Sequence, residues 1–121
     1  MNTIQQNKQI ALDWIAAFNT HDVEDILKLY DDNAIHFSPK LKVREPHTNG
    51  FVSGKIQMKQ WWNDAFTRLP SLNYELINLI ADENNLLMEY KRTVDGEADM
   101  MVAEVLEIQN GLIVKSRVYH G

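Results

Sequence analysis

The sequence predicts a single α+β domain over residues 1–121, with three helices in its first half and an antiparallel β-meander in its second. Three observations predict it. Apolar residues recur at helical period between residues 4 and 30 and again between 54 and 69. After residue 72 they alternate at period two. That second half is also cut by Asp95-Gly96 and Asn110-Gly111, two pairs suited to hairpin turns. A chain of 121 residues, 45% apolar and 24% charged, can bury one core without covalent staples.

Thr3 and Gln6 have the spacing of a capping box, and behind them Ile10, Trp14, Ala17 and Phe18 form the apolar stripe of a first helix ending near Asn19. Thr20-His21-Asp22 interrupts the period. Asp22 can cap a second helix whose apolar face is Val23, Ile26, Leu27 and Tyr30. Residues 34–38, Ala-Ile-His-Phe-Ser before Pro39, read as a short strand, which puts His36 and Ser38 on one face. Residues 39–54 hold two prolines and Asn49-Gly50 with no sustained period. They predict a long loop, with a brief strand at Phe51-Val52, of the kind that often covers a site. Ser53 can cap a third helix bearing Met58, Trp62, Ala65, Phe66 and Leu69 on one stripe, with Trp61 on its flank, until Pro70 stops it. Strand-like runs follow at 72–81, 86–94, 99–109 and 112–120, and turns this short make them antiparallel neighbours.

Composition narrows the function classes. The formal charge is −5, and the tightest basic groups are Lys40, Lys42, Arg44 and Lys91, Arg92, which argues against a nucleic-acid footprint. No run of eighteen apolar residues predicts a membrane span, and Met1 to Gln9 shows no secretory pattern. The absence of cysteine removes thiolate chemistry and fits a reducing compartment, so a cytoplasmic location is expected.

Alternation then sorts the faces. Leu86, Met88, Tyr90 and Arg92 share the inner face of one strand. Met100, Val102, Glu104, Leu106 and Ile108 share that of the next, so Glu104 is a lone carboxylate among four apolar neighbours. Leu112, Val114, Ser116, Val118 and His120 share the last inner face. The opposite faces carry Met101, Ala103, Val105, Ile113 and Tyr119 beside Glu107, Lys115 and Arg117, too apolar for a fully wet face, which predicts a homodimer through the outer side of the sheet.

The stretches Trp14-Ile-Ala-Ala-Phe-Asn-Thr-His-Asp22 and Leu29-Tyr-Asp-Asp-Asn-Ala34, the Ser53-Gly54 helix opening, and Glu104-Val-Leu-Glu-Ile-Gln-Asn-Gly111-Leu-Ile-Val114 together resemble the nuclear-transport-factor-2-like superfamily, in its SnoaL-like and ketosteroid-isomerase-like branches. The resemblance implies a cone-shaped fold: three helices on a strongly curved antiparallel sheet, ordered α-α-β-α-β-β-β-β, around an internal pocket. Such a scaffold hosts isomerases, cyclases, dehydratases and binding modules alike. The ketosteroid isomerases use a tyrosine, an aspartate base and a protonated aspartate. The corresponding positions resemble Trp14, Ser38 and Glu104, so two of the three roles lack their chemistry here and that mechanism is not expected.

A glutamate in an apolar wall has its ionised form disfavoured, which suits it to proton transfer near neutrality. Glu104, with His36 or His120, forms the candidate catalytic set. A structural hydrogen-bonded pair made by Glu104 is the competing reading. Trp14, Tyr30, Ser38, Trp62, Met88, Tyr90, Arg92 and Val118 are candidate ligand-binding walls, or simply core. Without an HxH or HExxH spacing, no metal and no cofactor are expected. The expected partner is a small apolar or aromatic molecule with polar handles, processed by an acid–base enzyme. The alternative is a non-catalytic ligand-binding or dimerisation module.

Overall fold

The computed structural model describes residues 3–121; Met1 and Asn2, which open the stretch read for a leader, lie outside the described residues. Helix α1, Ile4–Asn19, begins with the expected capping box: Thr3 accepts from the Gln6 amide, and the Gln6 side chain accepts from the Thr3 amide. Asp22 caps the short α2, Val23–Leu27, through the Asp25 amide. His21 makes the corner between them at φ 56°, its Nε2 2.8 Å from the Leu72 carbonyl and its ring stacked on Phe66. His21 thus ties the corner to the start of the meander.

Strand β1, Tyr30–Phe37, starts four residues earlier than the sequence suggested, so Tyr30 belongs to a strand and not to the second helix. The expected loop is more ordered than its prolines implied. Pro39 opens a six-residue helix α3, Pro39–Arg44, where its missing N–H costs nothing. A single 3₁₀ turn, Pro46–Thr48, leads to β2, Phe51–Ser53. Helix α4, Gly54–Arg68, follows. Ser53 is its N-cap residue but makes no side-chain bond; Gln57 reaches back to accept from the Ser53 amide instead. The meander comprises β3, Asn73–Ala81; β4, Asn85–Thr93; β5, Met100–Gln109; and β6, Leu112–His120.

The six strands form one sheet in the order β2-β1-β6-β5-β4-β3. The meander is antiparallel as expected, but β1 lies parallel to β6, with His36 beside Ser116, so the sheet is mixed. No turn links these two strands, so no local signal could set their direction; the chain closes between them through α3, β2, α4 and the rest of the meander. A second correction concerns β6. Its register against β5 shifts between Glu107 and Ile108, and this bulge turns Ile113 inward, fully buried, where strict alternation placed it outside.

The helices cover one face of the curved sheet and meet it in a single core. Trp14, Phe18, Trp62 and Phe66 interlock edge-on and tilted, with ring centroids 4.1 to 5.7 Å apart, against Tyr30, Leu86, Met88 and Leu106. Asn7 anchors the start of α1, its side-chain amide giving a 2.9 Å bond to the Asp82 carbonyl. Among the described residues, no helix is long and apolar enough to cross a membrane.

Candidate functional site

Period-two alternation lays the inner face out in rungs. Tyr90, Val102 and His120 lie opposite one another on β4, β5 and β6; Met88, Glu104 and Val118 form the next rung; Leu86, Leu106 and Ser116 the third, continued by His36 on β1. Between these rungs and the helices the fold leaves a cavity of about 420 Å³, walled by aromatic side chains such as Trp14, Trp62 and Tyr90, by aliphatic ones and by a set of charged ones. Its size is in the ordinary range for a small-molecule site.

Glu104 is 1% exposed. The Tyr90 hydroxyl donates to its Oε1 at 2.9 Å, while its Oε2 is buried without a hydrogen-bond partner among the described residues. Burial pushes its carboxyl up to about 8, only partly countered by the Tyr90 bond. Glu104 is therefore mostly protonated at neutral pH. Burial, reinforced by the neighbouring carboxyl, also raises the Tyr90 and Tyr74 phenols.

A second polar line crosses the core beside it. The Trp14 indole N–H donates to the Tyr30 hydroxyl at 3.2 Å, Tyr30 donates to Ser116 Oγ at 3.0 Å, and Ser116 Oγ lies 2.6 Å from His36 Nδ1. Indole can only donate, and Tyr30 gives its single proton to Ser116, whose oxygen keeps one proton and one lone pair for His36 Nδ1, so the His36 tautomer sets the direction of that last bond. Burial lowers His36 to about 4, so its imidazole is neutral at pH 7. His120, half-buried, is lowered by the same cause and by the nearby charges of Lys40 and Arg92.

The three candidate catalytic residues, Glu104, His36 and His120, all line the cavity, as do Trp14, Ser38, Trp62, Tyr90, Arg92 and Val118 of the candidate walls. Tyr30 and Met88 do not: both are fully buried core residues, Tyr30 two hydrogen bonds behind His36, through Ser116. The cavity also takes in residues that the sequence did not single out as site residues. Tyr74 belongs to a strand whose register shifts after Leu76, which blurs its alternation. Phe18 and Phe66 were legible as stripe residues, but nothing in a stripe distinguishes core from wall. Lys40 and Glu97 come from an unpredicted helix and from a turn, where no periodicity exists to read. Among the described residues, no three His, Cys, Asp or Glu side chains gather to hold a metal ion.

A family model described as the SnoaL-like domain matches residues 11–116. A SnoaL-like protein of unknown function from Burkholderia thailandensis is 27% identical, with a TM-score of 0.85, over 98% of this chain and 97% of that one. TerC, co-crystallized with polyporic acid, is 17% identical with a TM-score of 0.82, over 96% of this chain and 92% of its own. A Sinorhizobium meliloti protein provisionally named a polyketide cyclase is 14% identical, with a TM-score of 0.78 over 92% and 94%. At those identities the last two share the fold alone. No curated protein matches the sequence.

Proposed function

The chain belongs to the SnoaL-like domain family, and on that premise we propose that it is a cofactor-independent acid–base enzyme acting on a flat, mostly apolar molecule that carries a carbonyl or hydroxyl group. One observation carries the reading: among the described residues Glu104 Oε2, buried in the cavity wall, has no hydrogen-bond partner. A buried polar atom left unpaired costs about 1–3 kcal/mol, a cost that a bound carbonyl oxygen would relieve. A protonated carboxyl donates there, as ketosteroid isomerase's protonated aspartate does in its apolar site. The carbonyl is thereby polarised and an adjacent C–H made more acidic.

The proton leaving that carbon goes to His120. Its imidazole is neutral at pH 7 and stands opposite Val102, on the rung next to Glu104 and on the same face. A cross-strand diagonal of about 7 Å leaves room for a substrate carbon between acid and base. In the tautomer in which Ser116 donates to its Nδ1, His36 carries its proton on Nε2 and supplies a second donor for an oxygen. Returning the proton from His120 to a different carbon or oxygen gives isomerisation, cyclisation or dehydration.

Incubation with flat ketones and hydroxyquinones, polyporic acid first among them, with products followed by mass spectrometry, tests the reading. Turnover by the wild type falls about 10²–10⁴-fold in Glu104→Gln while the compound still binds, and it declines as pH rises through about 8, where Glu104 ionises. Binding by both proteins with product from neither is the result of a binding module.

For assembly we propose a two-fold dimer through the outer face of β5 and β6, where Met101 and Tyr119 are 46% and 50% exposed. Sedimentation equilibrium gives twice the mass of the 121-residue chain for wild type and a monomer for Met101→Glu combined with Tyr119→Glu.

A further inference from the structure

The charge lining the cavity has the opposite sign from that of the protein. The chain carries 17 acidic and 12 basic residues, yet the cavity is lined by Lys40, Arg44, Arg68 and Arg92 against only Glu97 and Glu104. Glu104 is buried in the β5 wall, so Glu97 is the carboxylate that answers these cations at the mouth. Arg44 and Arg68 share the exposed Asp64 of α4, at 3.9 and 2.8 Å. Arg92 and Lys40 have no such outside partner. Among the described residues Lys40 forms no ion pair.

Arg92 is an unusual residue to find in such a wall. Its side chain is 6% exposed, and a guanidinium taken out of water requires a counter-charge. The carboxylate it has belongs to Glu97, 42% exposed on the β4–β5 turn, reached by one 2.9 Å bond from Nη1. A guanidinium offers a fork of donors suited to gripping both oxygens of a carboxylate, so one bond leaves that grip incomplete. Glu97 reaches into the cavity from a solvated turn and can return to water once another carboxylate takes its place on Arg92.

We infer that the cavity takes a flat apolar organic anion, an ionised aromatic carboxylic acid or its like, whose carboxylate replaces that of Glu97 between Arg92 and Lys40 while its apolar body lies among the tryptophans. This deepens the reading of the cavity as a small-molecule site and rests on it. The positive mouth of an acidic protein concentrates anions at the entrance, and Arg92 fixes one end of the molecule so that the other lies toward Glu104.

The test compares 2-naphthoate with 2-naphthamide, alike in shape and different in charge, by isothermal titration calorimetry at pH 7 and low salt. The naphthoate binds about tenfold or more tightly than the amide. Glu97→Gln, at an exposed turn position, tightens naphthoate about threefold and leaves the amide unchanged, because the internal competitor is gone. Arg92→Gln abolishes the preference. Should that buried variant not fold, Lys40→Gln, at a half-buried position, reduces the preference in its place. Equal binding of acid and amide, or a Glu97→Gln variant that binds naphthoate more weakly, overturns the inference while leaving the cavity as a small-molecule site. Binding of neither compound overturns the inference and counts against the cavity reading as well.

Discussion

Between pH 6.5 and pH 8 the protein loses about 1 kcal/mol of unfolding free energy, and the Glu104→Gln variant does not. The buried carboxyl titrates near 8 in the native state and near 4.5 in the unfolded chain. Its contribution is therefore complete below pH 4.5 and lost as pH rises to 8, at up to about 1.4 kcal/mol per unit. His36 acts in the reverse sense. Held neutral down to about 4 against 6.5 when unfolded, it lets stability fall as pH falls from 6.5. From 4.5 to 6.5 the two slopes oppose and largely cancel, and above 6.5 the Glu104 slope prevails as the histidine one dies away. The other shifted groups do not intrude: His120, lowered, acts below 6.5; Asp82 and Glu97, lowered, act in acid; and the raised phenols act above 10. Urea unfolding at half-unit pH steps reads the difference directly. A wild type whose midpoint is level from 6.5 to 8 would mean that Glu104 is already ionised at neutrality.

Ser116→Ala costs about 2–5 kcal/mol, far more than the loss of one surface hydroxyl. Ser116 is 1% exposed and its oxygen joins two buried groups, accepting from Tyr30 and pairing with His36 Nδ1. Its removal leaves the Tyr30 proton without an acceptor and His36 Nδ1 without its partner, although Tyr30 still accepts from Trp14, and each such loss costs about 1–3 kcal/mol. Because the bonds run in series, Tyr30→Phe and Ser116→Ala share part of their cost, so the double variant is destabilised by about 1 kcal/mol less than the sum of the single changes. Thermal and urea unfolding of the four proteins completes the cycle. Additive effects, or a Ser116→Ala cost below about 0.5 kcal/mol, would show that the Trp14–Tyr30–Ser116–His36 line does not act as a unit.

What the sequence made legible follows from periodicity. Alternation in β4 and β5 placed Leu86, Met88, Tyr90, Arg92, Val102 and Glu104 on the inner face, and all six are buried there. A single carboxylate breaking such a pattern is visible without a structure, which is why Glu104 could be found. Where the period is interrupted, legibility ends. The β6 bulge reverses Ile113, the shift after Leu76 obscures Tyr74, and the parallel contact of β1 with β6 depends on a closure that no neighbouring residue encodes. Pairings across the fold are hidden for the same reason. The sequence put Ser116 and His36 on inner faces, but only the β1–β6 register sets them side by side. Nor does anything in a turn sequence say that Glu97 folds back upon Arg92.

The proton-donor role requires that Glu104 stand in the cavity as a neutral acid at physiological pH. Its side-chain carboxyl carbon, labelled with ¹³C and identified by its absence from the spectrum of Glu104→Gln, can be titrated by NMR. An inflection near pH 8, well above those of the surface carboxylates, is the expected result. An inflection below about 5.5 would make Glu104 an ordinary ionised carboxylate at neutrality and contradict both the proton-donor role and the pH dependence of stability derived from it.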